Sequence, residues 1–303
     1  MKKAIMSLLV LGLAACQSRP GPTITEQYST VETPKTASIT PNELLAVSAS
    51  YFTAADTLPA QAKAMLQQIN LSELWRSFNN TDPKPLILEG FFGPDHYRFE
   101  VVFTQVRRDN KQPEVYHVEG KTHYRKNVRP FSGTLIIRQL ADLNASWDYD
   151  DFVPAQTELL PPDTVEARYE RARQQSHPYT ARAELQLKEA LTPDSGIFMG
   201  EAILNFFVTD THRIGYVVEP VLNPQHPAGG AAILLRGSRL NQSTRQIKQF
   251  VVASDKFAAA PDIYQDFGVG ERSHQVSPKY AHLGWNEEWQ NEEWWTDSPK
   301  ATL

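Results

Sequence analysis

From about residue 86 the chain alternates between apolar and polar positions. Tyr97, Phe99, Val101 and Phe103 fall on one side of an extended segment. Tyr116, Val118, Thr122 and Tyr124 do the same, with His117, Glu119, Lys121 and His123 opposite. Phe131, Leu135 and Ile137 mark another strand, and Ala181, Ala183, Leu185 and Leu187 alternate with Arg182, Glu184, Gln186 and Lys188. Further strands are expected near 197–208, 213–219, 230–240 and 247–254. A period of two with one polar face signals antiparallel sheet, because a parallel sheet is buried on both faces and reads as continuous apolar runs. Turn chemistry separates the strands at Gly93-Pro94-Asp95, Arg108-Asp109-Asn110, Pro193-Asp194-Ser195-Gly196 and Pro227-Ala228-Gly229-Gly230. Over 81–260 the reading is therefore a mainly β domain of eight to ten antiparallel strands, barrel-like or a sandwich, since a sheet of that size must dispose of its edges. The alternation breaks at 144–178, where Pro161-Pro162 leads into a short helix expected from Asp163 to Gln175.

Ahead of the sheet, over 40–80, the period is helical. Thr40-Pro41-Asn42-Glu43 is a capping box with proline in the first turn, followed by Leu44, Val47 and Tyr51. A second helix is expected from Thr57, carrying Ala62, Met65, Leu66 and Ile69 on one stripe. Ser72 is expected to cap a third turn with Leu74, Trp75 and Phe78. These stripes read as packing faces against the sheet. Residues 17–39 show neither period, are rich in Ser, Thr and Pro, and read as a tether with a reach of roughly 25 Å.

The first sixteen residues read differently again. Lys2 and Lys3 precede an apolar run from Ala4 to Leu13, too short to span a bilayer, and then Ala14, Ala15 and Cys16. Leu13-Ala14-Ala15-Cys16 resembles the lipobox of the bacterial lipoprotein class. That resemblance implies removal of 1–15 and a diacylglycerol thioether on Cys16, hence a membrane partner through the lipid. With Gln17 next, it implies the outer membrane, facing the periplasm. The remaining sequence resembles a lipocalin-type barrel in strand count only, and no ligand residue carries over.

Composition narrows the function classes. The chain has 303 residues, 41% of them hydrophobic, and a net charge of −5, which excludes a mostly disordered chain and a dedicated nucleic-acid binder. One cysteine excludes an intramolecular disulfide. No G-x-S-x-G, H-E-x-x-H or P-loop motif is present, and Gly268-Val269-Gly270 has Ser273 where a dinucleotide loop needs its third glycine. His117 and His123 share a strand face but lie roughly 20 Å apart, beyond one ion's reach. No catalytic residue, metal ligand or cofactor is singled out. The basic turn Tyr124-Arg125-Lys126-Asn127-Val128-Arg129 reads first as solvated, with an anionic lipid headgroup or a polysaccharide as what it could meet.

The tail 261–303 holds the strangest pattern. Asn286-Glu287-Glu288-Trp289 recurs five residues on as Asn291-Glu292-Glu293-Trp294, flanked by Trp285 and Trp295. The indoles either seal one end of the sheet or, with Glu288 and Glu293, form a platform for sugars: Trp285, Trp289, Trp294 and Trp295 are its candidate faces. The expectation is a lipid-anchored envelope module that binds or scaffolds, its partner an apolar ligand, a glycan or an envelope protein. The competing class is an envelope hydrolase with dispersed residues.

Overall fold

The computed structural model describes residues 51–53, 55–77, 84–143, 176–192, 194–217, 227–261, 278–287 and 293–296. All of them belong to the compact unit Ala37–Leu303. Cys16, the tether, the capping box at 40–43, Phe78, the helix expected at 163–175, the Gly268–Gly270 stretch, Glu288 and Trp289 lie outside the described residues.

Nine strands form one antiparallel sheet: β1 Ile87–Phe92, β2 Tyr97–Arg108, β3 Val115–Tyr124, β4 Asn127–Asp142, β5 Ser176–Glu189, β6 Gly196–Thr209, β7 Ile214–Tyr216, β8 Ile233–Asn241 and β9 Ile247–Ala253. Neighbours run β5-β4-β3-β2-β1-β9-β8-β6, and a further pairing of β5 with β6 closes the circle. The result is a closed ring, the barrel-like of the two expected arrangements. Closure removes the free edges that an open sheet of this size would expose. The middle segment ends at 175 rather than 178, because His177 and Pro178 already pair with Val208 and Phe207.

β7 and β8 share one position in the ring. Ile214–Tyr216 pairs with Val208–Phe206, and Ile233 resumes the ladder opposite Leu204. Asn205 ties down the described residues that flank the two strands, Val217 after β7 and Ala231 and Ala232 before β8. Its carbonyl accepts from Val217 N–H (3.1 Å), its N–H donates to the Ala232 carbonyl (2.9 Å), and its side chain donates to the Ala231 carbonyl (3.3 Å). Thr180 donates to the same side chain at 2.7 Å.

The ring is filled. Phe99, Phe103, Phe131, Phe198, Phe206 and Phe250 belong to one buried cluster with the aliphatic residues of the inward faces. Phe99 stacks on Phe198 at 5.7 Å, and Phe250 meets Phe198 edge-on at 5.2 Å. Two register shifts keep large side chains inward: after the shift between Phe103 and Gln105 the next core residue is Val106, and after Ile137 it is Leu140.

Two short helices, α1 Ala60–Gln68 and α2 Ser72–Arg76, pack onto one end of this cluster through Leu66, Ile69, Leu71, Leu74 and Trp75. The ring holds them by polar contacts as well. Arg108 Nη1 donates to the carbonyls of Leu66 (2.7 Å) and Ile69 (2.6 Å), and Tyr216 Oη donates to those of Leu74 and Ser77. The helix starts differ from expectation. Pro59, not Thr57, precedes α1, and Leu71, not Ser72, precedes α2. Asn70 takes the capping role instead, its Oδ1 accepting from Ser72 N–H (3.1 Å) and Oγ (2.8 Å).

Among the described residues, two short helical turns follow the ring, α3 Lys256–Ala259 and α4 Pro278–Ala281, with one 3-10 turn at Trp285–Glu287. No described helix is long and apolar enough to cross a membrane.

Candidate functional site

With α1 and α2 on one end, the opposite end forms a mouth. It is built from the end of β1, the start of β2, the β3–β4 turn, the β5–β6 turn, and the end of β8 with the start of β9. The mouth holds a cavity of about 240 Å³. Phe92, Phe99 and Phe198 form its floor, continuous with the packed interior. Four cations line it, Arg125, Arg129, Arg239 and Lys248, against two carboxylates, Glu189 and Asp194.

Glu189 organises the site. Its side chain is only 3% exposed. It accepts from Arg239 Nη2 at 2.6 Å, Gly196 N–H at 2.7 Å and Thr122 Oγ1 at 3.3 Å, and Arg129 Nη1 lies 3.6 Å away. Arg129 and Arg239 both also donate to the Asp194 carbonyl. Two guanidinium groups are thereby fixed beside an aromatic floor, with Arg239 over the Phe198 ring at 5.6 Å. A carboxylate buried this deeply needs its partners, and a donor for each oxygen supplies them.

The other two cations are free to act. Arg125 and Lys248 are exposed and form no ion pair among the described residues. Arg125 rests over the Tyr97 ring at 4.2 Å, and Lys248 over Phe92 at 5.7 Å. Arg125 also sits in the left-handed region, with φ +58. A side chain there costs backbone energy that glycine does not.

A second concavity, about 470 Å³, lies on the outer face beside β2 and β3. Tyr97, Arg98, Glu100, His123, Arg125 and Lys126 form one wall, and Ala281–Gly284 with Asn286 the other. Beneath it lies a chain of charges. Arg98 donates to Glu89 (2.5 Å) and Glu100 (3.0 Å), and His123 Nδ1 lies 2.6 Å from Glu100. Burial pushes the Glu89 carboxyl up, although Arg98 and Lys256 oppose it. Burial likewise pushes the Lys256 ammonium down.

The tail residues take separate places around this concavity. Trp285 is fully buried, its ring 4.9 Å from Phe91 and its Nε1 donating to the His96 carbonyl at 3.0 Å. It therefore presents no face to solvent. Trp294 lies 5.1 Å from the His123 ring and 5.8 Å from Trp295, edge-on. Trp294 and Trp295 are half-buried, and Glu293 pairs with Lys84 at 3.0 Å. Of the expected platform, the structure brings Glu293, Trp294 and Trp295 together and separates Trp285 from them.

The polar strand face His117–His123 divides between different partners. His117 lies 3.2 Å from Asp109 and His123 pairs with Glu100. No cluster of three or more metal-ligating side chains occurs among the described residues.

The mouth was only partly visible in sequence. Arg125 and Arg129 stand in the basic turn, but Glu189, Arg239 and Lys248 come from strands far along the chain, and ring closure alone brings them together. Glu189 and Arg239 carried a faint signal, as charged residues at the ends of alternating apolar strands. No protein-family model, curated protein or solved structure matches this chain.

Proposed function

We propose that the protein is a lipid-anchored module of the cell envelope, held by diacylglycerol on Cys16, that binds a ligand at the mouth of the ring. The ligand is an anion bearing a small apolar group. One observation carries this reading: the interior is filled with aromatic side chains, while the mouth sets four cations against two carboxylates over an aromatic floor. A packed interior argues against an apolar molecule enclosed in the ring. Arg129 and Arg239 are held in place before any ligand arrives, so little ordering cost remains at binding. Arg125 and Lys248 would supply the uncompensated charge.

Calorimetric titration of residues 37–303 with octyl phosphate tests it, with octanol and inorganic phosphate as controls. Saturable binding of octyl phosphate, weaker binding of phosphate and none of octanol is the expected order. Arg125→Gly should weaken binding about fivefold or more, as loss of one charge-assisted contact, while relieving the left-handed strain and so leaving the melting temperature unchanged or raised. Equal affinity of the variant, or tight binding of octanol, would overturn the reading. For the anchor, Cys16→Ser should release the protein from membranes; persistent membrane partition would refute lipidation at this residue.

A further inference from the structure

Among the described residues, two large hydrophobic side chains stand exposed: Val128 at 40% and Leu191 at 80%. Both lie at the mouth. Val128 follows the β3–β4 turn and Leu191 sits in the β5–β6 turn, and the two segments adjoin where Ala190 N–H donates to the Pro130 carbonyl at 2.9 Å. Elsewhere the large apolar side chains of the described chain are covered, so their coincidence at one end is informative.

The same end is basic. Arg125, Lys126, Arg129, Arg239, Arg245 and Lys248 stand there against Asp95, Glu189 and Asp194, in a chain of net charge −5. Arg125, Lys126 and Lys248 form no ion pair among the described residues and are exposed. Exposed aliphatics beside unpaired cations, at the start of β4 and in the β5–β6 turn, match an anionic bilayer surface: the cations meet phosphates and the aliphatics enter the acyl boundary. A protein interface is depleted of lysine and enriched in aromatic residues, whereas this rim sets exposed Lys126 and Lys248 beside aliphatic Val128 and Leu191.

We infer that the mouth rim docks on an anionic lipid surface, with Val128 and Leu191 inserted and a headgroup phosphate received among Arg125, Lys248 and the fixed guanidinium pair. This rests on the reading of the mouth as an anion site, and names its ligand as a phospholipid still in its bilayer. The rim then faces the membrane.

Co-sedimentation of residues 37–303, which lack the anchor, with mixed phosphatidylglycerol–phosphatidylcholine vesicles tests this against pure phosphatidylcholine vesicles. Binding to the anionic vesicles alone, weakened by salt, is expected. Leu191→Ser and Val128→Ser, which leave the charge unchanged, should each reduce vesicle binding about tenfold, the loss of inserting one aliphatic side chain, without changing affinity for octyl phosphate. Both positions are exposed, so neither substitution threatens the fold. Octyl phosphate binding without vesicle binding overturns the docking inference and leaves the mouth reading standing. Vesicle binding indifferent to both Ser variants also overturns it. Failure of both assays removes both readings, and a protein captured by the rim in place of vesicles counts against lipid docking.

Discussion

Tyr116 and Tyr216 are buried phenols that tie the ring to its helical end. Tyr116 Oη accepts from Leu71 N–H at 3.4 Å, while Tyr216 Oη donates to two carbonyls of the α2 segment. Burial pushes Tyr116 up to about 12 despite that donor and the nearby Arg108, and pushes Tyr216 up further. The sign follows from linkage. An unfolded tyrosine ionises near ~10, so the unfolded chain loses its protons first as pH rises. The stability these residues contribute is fully present below about 10 and falls as pH climbs through about 12. Urea midpoints measured from neutral pH to pH ~12 should drop steeply in that window. Tyr216→Phe should flatten the drop, and at neutral pH should cost about 1–2 kcal/mol for the stranded carbonyls. An unchanged alkaline slope would mean the phenol is solvated. Glu201 illustrates a second device at this scale. Wholly buried on the outer face of β6, it is held between Arg182 and Arg236, the latter at 2.9 Å. Phe52 lies by Arg182 and Tyr51 by Arg236, so the segment before α1 lies against this ion triplet.

Whole elements show how far a pattern can be followed. β5 alternates as its sequence does, with Ala181, Ala183, Leu185 and Leu187 all buried. β6 does not: almost every residue is buried, on both faces. Its inward face joins the core, while its outward Ile203 is covered by Ala228, Ala231 and Leu234, and Phe207 by Leu143 and Val217. Such cover comes from distant segments, so the period of two weakens where the structure is thickest. The helix starts depart from the pattern for a local reason: Thr57 has capping chemistry but Pro59 precedes α1, and Ser72 is the first residue of α2, held by Asn70 Oδ1 rather than capping the turn itself. In the tail, the five-residue recurrence shows the composition but not the division of labour. Trp285→Ala should cost about 3–5 kcal/mol, because it empties a buried site against Phe91 and frees the His96 carbonyl. Trp295→Ala, at a half-buried position, should cost under about 1 kcal/mol. Thermal melts of the two variants check the contrast; equal losses would mean that both indoles belong to one packed seal.

At the scale of the molecule, antiparallel class and approximate strand number were legible, because they rest on local period and turn chemistry. Closure and the mouth were not, because they depend on which distant strands meet. Filling follows from the same closure: eight ring positions enclose only enough room for side chains or one small ligand, and the phenylalanines take that room. Native mass spectrometry of residues 37–303 should therefore show either the bare chain or an anion that exchanges readily at low salt. A tightly retained neutral apolar mass, released only on unfolding, would contradict a packed interior.

β1 and β9 meet along a short seam. The successive strand pairs from β1 to β6 match through six or more residues each, but β1 meets β9 over four, Glu89 opposite Ala253 to Phe92 opposite Phe250. Hairpins between chain neighbours form early and fast, whereas a pairing between the two ends of the sheet must wait for a large loop to close. The molecule thus resembles a belt with a short buckle, wound strand by strand and fastened last. Amide exchange should find its earliest cooperative opening at that buckle, and a chain stalled before β9 is made would present the unfastened edge of β1.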